Sequence, residues 1–281
     1  MRNVLTRTAS GIVYIALMVA AVFTQWVAVP LAAFLIVVGL YEYYKLSKDS
    51  TLHTSFVFWI VAAVSVFVSF YFLFASSWVA PPILQFAGLG VAYVALFIPE
   101  LVAKSELSMS RVGLAFLGQM WIVVPLCVLF LLWIPQNPAL VLAFFILIWM
   151  SDTAAYVFGS LLGKHKLAPN ISPGKTWEGF LCSCVFTIGL SVGLSYIPLF
   201  HQYAEIPLSW WIVFALLIQV FGLLGDLIES MFKRKAGVKD SGNIIPGHGG
   251  VLDRVDSILF ATLPVWLFCL ICDLCFVTFD L

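Results

Sequence analysis

The sequence predicts an all-α, polytopic integral membrane protein with about nine transmembrane helices. Hydrophobic residues make up 63% of the 281 residues and charged residues only 10%, whereas about 25% of a soluble domain is charged. This small number of charged side chains could not hydrate the surface of a soluble protein of this size. The chain is therefore suited to a lipid environment. The apolar blocks are too long for the short alternating segments of a β-barrel, which leaves helices.

Stretches without a formal charge define the predicted spans in chain order. The first three contain 34, 50 and 40 residues and lie between Arg7 and Glu42, Asp49 and Glu100, and Arg111 and Asp152. One span needs about 20 apolar residues, so the second and third stretches each predict a pair of helices. The first stretch is tight for two spans, but Pro30 near its middle favours a pair there as well. Breaks within the pairs are expected near Pro30, at 76–82 and at 134–138, and single spans are predicted at roughly 179–199, 208–228 and 257–277.

The basic residues give these spans an orientation. If the N-terminus is cytoplasmic, all 14 Lys and Arg residues fall on the cytoplasmic side, and the opposite loops at 75–82, 134–138 and 199–208 carry none. This asymmetry is typical of bacterial inner membrane proteins and predicts that the polar loops face the cytoplasm. The first apolar run follows Arg2 and Arg7 as in a signal peptide, but it lacks a convincing small-residue cleavage site and is interpreted as a retained span.

Charge also divides the chain into two predicted regions. Sixteen of the 28 charged residues lie within 151–256. We therefore predict an N-terminal transmembrane scaffold at 1–150 and a catalytic transmembrane region with two cytoplasmic polar loops at 151–281.

The six cysteines all lie in or beside apolar segments. Cys269, Cys272 and Cys275 have a spacing that a metal site could use, but no second ligand set accompanies them. Packing as small apolar side chains is the favoured interpretation.

Two polar segments precede the main cluster of charges. Asp152 lies within an apolar helix, where an ionisable side chain favours a functional role over a bonded helix-end carboxylate. The segment 172–179 predicts a helix start, with Ser172 as N-cap and Pro173 at the first helical position. Lys175 and the threonine after it resemble the end of a P-loop, but the glycine pattern is absent. A capped helix alone, and a capped helix with an anion contact through Lys175, both remain open.

The strongest signal lies at 226–256. Asp226 and Glu229 share one helix face, and Asp253 and Asp256 share another. Between the two pairs lie a basic loop and five glycines within 237–250. Carboxylates suit Mg²⁺, and basic side chains with glycine amides suit phosphate, so the set favours metal-assisted phosphoryl or nucleotidyl transfer. A loop that holds anionic lipid heads by charge alone would leave the acids and glycines unexplained.

The run at 230–256 contains S-x-x-K-R, K-D, P-G-H-G-G and D-R-x-D in that order. This pattern resembles the signature of the phosphatidate cytidylyltransferases, also called CDP-diacylglycerol synthases. The segments 151–159 and 172–179 resemble the same family, although its members often carry Lys where this chain has Gly174. The resemblance covers roughly 151–257, and residues 1–150 match only as apolar spans.

The resemblance implies that CTP and phosphatidate react, with Mg²⁺ as cofactor, to give CDP-diacylglycerol and pyrophosphate in phospholipid biosynthesis. It implies metal ligation by Asp226, Asp253 and Asp256, and it leaves a second metal ion open. The implied catalytic residues are Asp226, Lys239, Asp240, His248, Asp253, Arg254 and Asp256. The implied substrate-binding residues are Asp152, Ser172, Lys175, Thr176, Glu178, Ser230, Lys233, Arg234, Gly249 and Gly250.

The expected partners are CTP, phosphatidate and membrane lipids, without nucleic acid, and a homodimer is left open. Two alternatives accompany this prediction. A CTP-dependent polyisoprenoid or lipid-alcohol kinase would transfer the γ-phosphate and release CDP instead of pyrophosphate. A secondary transporter would favour midplane charges and inverted repeats, whereas this chain concentrates its charges at one surface and in one half.

Overall fold

The computed structural model describes the chain except for Met1, 48–55, 76–81, 104–107, 204–205, His248 and 280–281. Long helices account for most of the described residues, and the predicted all-α membrane fold is confirmed. The helices are α1 (Arg2–Phe23), α2 (Gln25–Leu46), α3 (Phe56–Ala75), α4 (Pro82–Ala103), α5 (Met109–Gln136, with π-helical turns at Gln119–Val123 and Val128–Trp133), α6 (Pro138–Leu162), α7 (Trp177–Ser195), α8 (Leu208–Lys235) and α9 (Leu252–Phe279). A hairpin of β1 (Lys166–Ala168) and β2 (Ser172–Thr176) lies between α6 and α7, and a 3₁₀ helix spans Pro198–Tyr203.

The helices form two compact units. The first comprises Met1–Gln136 and Lys235–Arg254, that is, α1 to α5 and the glycine-rich loop. The second comprises Asn137–Arg234 and Val255–Leu281, that is, α6, the hairpin, α7, α8 and most of α9. The functional division predicted at residue 150 stays a prediction.

Within the part of the chain that the structure describes, six helices are long and apolar enough to cross a membrane: α2, α5, α6, α7, α8 and the Leu252–Cys272 part of α9. Shorter apolar segments occupy Thr8–Phe23 in α1, Phe56–Phe72 in α3 and Ala87–Ile98 in α4. Large apolar side chains such as Trp26 and Val185 are 90% and 73% exposed, as expected where lipid replaces water. The number of nine spans stays a prediction.

The breaks between paired helices follow local chemistry. Asn137 separates α5 from α6, inside the predicted break at 134–138. The first pair is also present, but its break lies at Thr24 and not near Pro30. Thr24 adopts an extended conformation, and its carbonyl accepts hydrogen bonds from the Val27 and Ala28 amides. Pro30 lies inside α2, where it forfeits one backbone hydrogen bond without ending the helix. The predicted break at 76–82 lies almost wholly outside the described residues.

The predicted helix start at Ser172 and Pro173 is wrong. Both residues lie in β2, where Ser172 pairs with Ala168 of β1 and Thr176 pairs with Lys166. Proline tolerates this position because a two-stranded hairpin consists only of edge strands. The helix begins at Trp177, and Thr176 is its N-cap, with Oγ1 accepting a hydrogen bond from the Gly179 amide.

Polar side chains fix how α7 and α8 pack inside the second unit. Gln219 of α8 donates from Nε2 to Ser183 Oγ at 2.7 Å, and its Oε1 accepts from Thr187 Oγ1 at 3.1 Å. One helical turn further along, Ser191 Oγ donates to the Trp211 carbonyl at 2.8 Å. These bonds satisfy groups that lipid could not solvate, and they set the register of the helix pair.

Candidate active site

Three carboxylates from three helices lie close together in the second unit. Asp152 of α6, Asp226 of α8 and Asp256 of α9 are near enough to interact electrostatically, and Asp256 is only 9% exposed. Their mutual repulsion disfavours the cluster unless cations balance it. The structure thus brings Asp152, a functional candidate from the sequence, into electrostatic contact with Asp226 and Asp256.

A glycine lets two of these helices approach. A Cβ atom built on Gly225 would lie 2.4 Å from the Asp256 carbonyl oxygen and 2.9 Å from Phe260 Cβ. Any larger residue would push α8 away from α9 at this point. Gly225 directly precedes Asp226, so this close crossing is what brings the carboxylates of Asp226 and Asp256 near each other.

Lys175 balances part of the negative charge. Its ammonium lies 2.5 Å from Asp226 Oδ2, and Ser230 Oγ donates to Asp226 Oδ1 at 3.1 Å. The side chains of Lys175 and Asp226 remain 23% and 33% exposed, so both are accessible to a solute. The anion contact predicted for Lys175 thus lies beside the acidic cluster.

Two glycines bring the start of α7 into close contact with α6, next to the strand that carries Lys175. A Cβ on Gly179 would lie 2.8 Å from the Ala155 carbonyl oxygen and 2.9 Å from the Gly159 Cα. This contact joins the start of α7 to α6, and Thr176 Oγ1 lies in the same contact. The two glycines come from the 151–159 and 172–179 segments singled out in the sequence, and their spatial role is close packing.

Other predicted substrate-binding residues have protein partners in this unit. Lys233 Nζ donates to Glu229 Oε2 at 2.6 Å, and Glu229 is 0% exposed. Arg234 Nε donates to the Ile171 carbonyl at 3.3 Å. Glu178 accepts from the Lys164 and His165 amides, so it closes the turn that precedes β1. These contacts hold the hairpin and α8 in position.

The first unit contains the rest of the predicted site, organised around Asp253. Its Oδ2 accepts from the Ser241 amide at 2.9 Å, from Ser241 Oγ at 3.0 Å and from the Gly250 amide at 2.8 Å. Gly249 has a φ of +87°, and a Cβ there would lie 2.8 Å from Asp253 Oδ2. The glycines of this loop therefore let backbone amides converge on a carboxylate.

A polar cavity of about 480 Å³ lies in the same loop. Its lining includes the predicted residues Lys239, Asp240 and Gly249, together with Gly242, Asn243, Ile245 and Gly247. A cationic side chain and glycine amides in one concave surface suit an anionic group. The predicted catalytic residue His248 lies outside the described residues, and the Arg254 carbonyl accepts from Tyr14 Oη at 3.0 Å.

Sequence reasoning missed Glu42, which anchors this loop. Glu42 is 1% exposed in α2, and it accepts hydrogen bonds from Ser241 Oγ at 2.8 Å and from the Val251 and Leu252 amides at 3.0 and 2.8 Å. The available signal was an ionisable residue near the end of an apolar helix. Its partners are about 200 positions away along the chain, so no local pattern reveals them.

The acidic cluster can be compared with the requirements of a metal ion. Among the residues that the structure describes, no three His, Cys, Asp or Glu side chains form a metal-binding group. Mg²⁺ needs fewer than three such protein ligands, because it commonly binds one or two carboxylates and completes its coordination shell with water and substrate phosphates. Asp226 and Asp256 fit that smaller requirement.

Comparison with known proteins identifies the class. The family model of the cytidylyltransferases matches residues 5–272, so this chain belongs to the cytidylyltransferase family. It is 46% identical over 118 residues to a phosphatidate cytidylyltransferase of Staphylococcus haemolyticus and 47% identical over 118 residues to that of Staphylococcus aureus. It is 48% identical over 123 residues to that of Staphylococcus epidermidis. Each match covers 41% of this chain and 43% of the relative, which is less than half of the relative's length.

Proposed function

We propose that this protein is a phosphatidate cytidylyltransferase, which converts CTP and phosphatidate to CDP-diacylglycerol and pyrophosphate in phospholipid biosynthesis. Family membership and the names of its relatives support the reaction class. The observation that carries the proposal is the cluster of Asp152, Lys175, Asp226 and Asp256. Its carboxylates and its accessible ammonium offer what a metal-assisted reaction between two phosphate-bearing substrates requires.

The proposed reaction is a displacement at phosphorus. A phosphate oxygen of phosphatidate forms a bond to the α-phosphorus of CTP, and the bond from that phosphorus to the bridging oxygen of pyrophosphate breaks. The attacking oxygen is already anionic, so no strong general base is needed. Repulsion between two anions and charge growth on the leaving group are the main barriers, so positioning and charge stabilisation dominate catalysis.

The proposed roles follow from the contacts. Asp226 and Asp256 would hold Mg²⁺, which when bound would screen the phosphates and stabilise the leaving pyrophosphate. Asp253 stays a proposed ligand on the sequence pattern alone, as does a second metal ion. Lys175, which already lies on Asp226, would exchange this contact for a phosphate oxygen. Ser230 orients Asp226 through its hydrogen bond.

We further propose that the active site faces the cytoplasm from a bacterial inner membrane. The asymmetry of the basic residues supports this orientation. CTP would then arrive from the cytoplasm, and phosphatidate would arrive laterally from the bilayer.

Labelled CTP tests the proposal directly. Purified protein with phosphatidate and Mg²⁺ should transfer label from α-labelled CTP into the lipid and release label from γ-labelled CTP as pyrophosphate. Entry of the γ label into a lipid would instead identify a kinase. Absence of CTP-dependent lipid labelling from both substrates would contradict the proposed reaction.

A further inference from the structure

An apolar cavity of about 370 Å³ lies in the first unit. It is formed by one face of α1, one face of α2 and the loop that precedes α9. The lining from the helices is Ser10, Val13, Tyr14, Leu17 and Met18 of α1 and Leu31, Phe34 and Leu35 of α2. The loop and the start of α9 add Ile244, Ile245, Pro246, Val251 and Arg254.

The α1 side of the cavity is a continuous stripe with a gradient of polarity. Its five residues follow the i, i+3, i+4, i+7, i+8 spacing of a single helix face, over a rise of about 12 Å. Ser10 and Tyr14 lie at one end of the stripe, and Leu17 and Met18 lie at the other. The cavity therefore has one end that suits a polar group and a body that suits only hydrocarbon.

Two hydrogen bonds fasten the polar end of α1 to the loop. Ser10 Oγ donates to the Pro246 carbonyl at 3.1 Å, and Tyr14 Oη donates to the Arg254 carbonyl at 3.0 Å. Arg254 itself is exposed and lines the cavity. These bonds place the hydroxyl groups of Ser10 and Tyr14 and the loop backbone at the polar end of an otherwise apolar groove.

The apolar cavity adjoins the polar one in the same loop. Ile245 lines both, so the groove meets the cavity that contains Lys239 and Asp240. Side by side, a polar cavity lined by Lys239 and an apolar groove match the two parts of phosphatidate, a terminal phosphate and an acyl chain.

We propose that this groove binds one acyl chain of the phosphatidate substrate. The inference rests on the proposed function for the identity of the lipid. The groove holds the chain by apolar burial along Val13, Leu17, Phe34 and Leu35, and the adjoining polar cavity with Lys239 receives the phosphate. Affinity for the lipid therefore depends on chain length, whereas the chemical step does not.

Filling the groove tests this role. Leu17→Trp places a larger side chain in the groove, and Ile15→Trp is the matched control, because Ile15 is 45% exposed on α1 and does not line the groove. Leu17→Trp should raise KM for long-chain phosphatidate at least about tenfold, as expected for lost burial of chain methylenes. Turnover of a dihexanoyl phosphatidate and the value of kcat should stay near those of the control. Equal kinetics for the two variants with long-chain substrate would overturn the proposal.

Photocrosslinking supplies a readout that does not need turnover. A phosphatidate with a diazirine at mid-chain should label α1 and α2 peptides that line the groove, and Leu17→Trp should reduce this labelling relative to Ile15→Trp. Labelling of the same peptides by an equivalent phosphatidylcholine would contradict a substrate site and indicate a bilayer lipid. If wild-type protein fails to use CTP with either phosphatidate, the proposed function fails, and the crosslink alone then decides whether the groove binds phosphatidate.

Discussion

Asp226 is held from two directions, by the Lys175 ammonium on one carboxylate oxygen and by the Ser230 hydroxyl on the other. A partly exposed ion pair of this kind contributes little to stability, about 0–1 kcal/mol. In the proposed reaction the same cation would lie beside the reacting phosphates, where a fixed charge stabilises developing charge far more effectively than water does.

Removing the Lys175 cation should therefore affect catalysis and spare the fold. Lys175→Ala is expected to lower CTP-dependent turnover by about 10²-fold or more, with a thermal midpoint in detergent close to that of the wild type. Lys175→Arg should recover part of the activity because it restores the charge with a different shape. A Lys175→Ala protein with normal turnover would remove Lys175 from the proposed site.

Glu42, unlike Lys175, is a buried side chain that stabilises the fold. Glu42→Ala would leave the Val251 and Leu252 amides unpaired, at about 1–3 kcal/mol for each buried unsatisfied group. We expect a lower thermal midpoint, with Glu42→Gln falling between alanine and wild type because one amide oxygen can still accept. Differential scanning fluorimetry in detergent measures the order, and an unchanged midpoint for Glu42→Ala would contradict the anchoring role.

The packing of α8 against α9 depends on a single glycine. Gly225 lies against the Asp256 carbonyl, whereas a Cβ on Gly222, in the same helix, would come no nearer than 3.8 Å to Ser257 Cβ. The two glycines therefore provide a matched pair for testing whether the crossing of α8 and α9 sets the geometry of the acidic cluster.

Gly225→Ala should destabilise the protein by about 1–3 kcal/mol through overpacking and should lower turnover, because α8 must move away from α9. Gly222→Ala should leave both quantities near wild type. Thermal unfolding and labelled-CTP turnover, measured on both variants, make the comparison. Equal behaviour of the two variants would show that the close crossing is not required.

In the hairpin, pairing between two segments determines the secondary structure, although the local sequence favours a helix start. Ser172 and Pro173 carry a strong signal for a helix start, but pairing of Ser172 with Ala168 and of Thr176 with Lys166 places both residues in a strand. Thr176 then supplies the cap four residues later. The role of Lys175 in substrate binding stays a prediction, whereas the predicted backbone around it was wrong, because strand register is a property of two segments.

Across the whole chain, the apolar blocks and the scarcity of charge were enough to predict helical spans and the break at Asn137. The association of Asp152, Lys175, Asp226 and Asp256 was also predictable, since a chain this apolar places few ionisable groups inside helices. The anchor at Glu42 and the break at Thr24 were not predictable. The role of Glu42 depends on partners about 200 positions away. The break at Thr24 depends on a single extended residue, and threonine is not a residue type that typically ends a helix.

The orientation in the membrane can be measured on the intact protein. In a background with the six cysteines replaced by alanine, Lys166→Cys should react with a membrane-impermeant maleimide only in inside-out vesicles. Tyr196→Cys, at the opposite end of α7, should react only in right-side-out vesicles. Both residues are exposed, so reactivity reports sidedness. The reverse pattern would contradict a cytoplasmic active site.

Glu42 also imposes a condition on distant positions. A Cβ on Gly242 would lie 2.4 Å from Glu42 Oε1, and a Cβ on Gly250 would lie 2.5 Å from Glu42 Oε2. The carboxylate thus fills the space that side chains at both glycines would need. At Gly242 all three of the nearest atoms belong to Glu42. Gly242→Ala should therefore be harmful in the wild-type protein yet milder beside a shortened Glu42→Asp, so these two positions are expected to show strong epistasis.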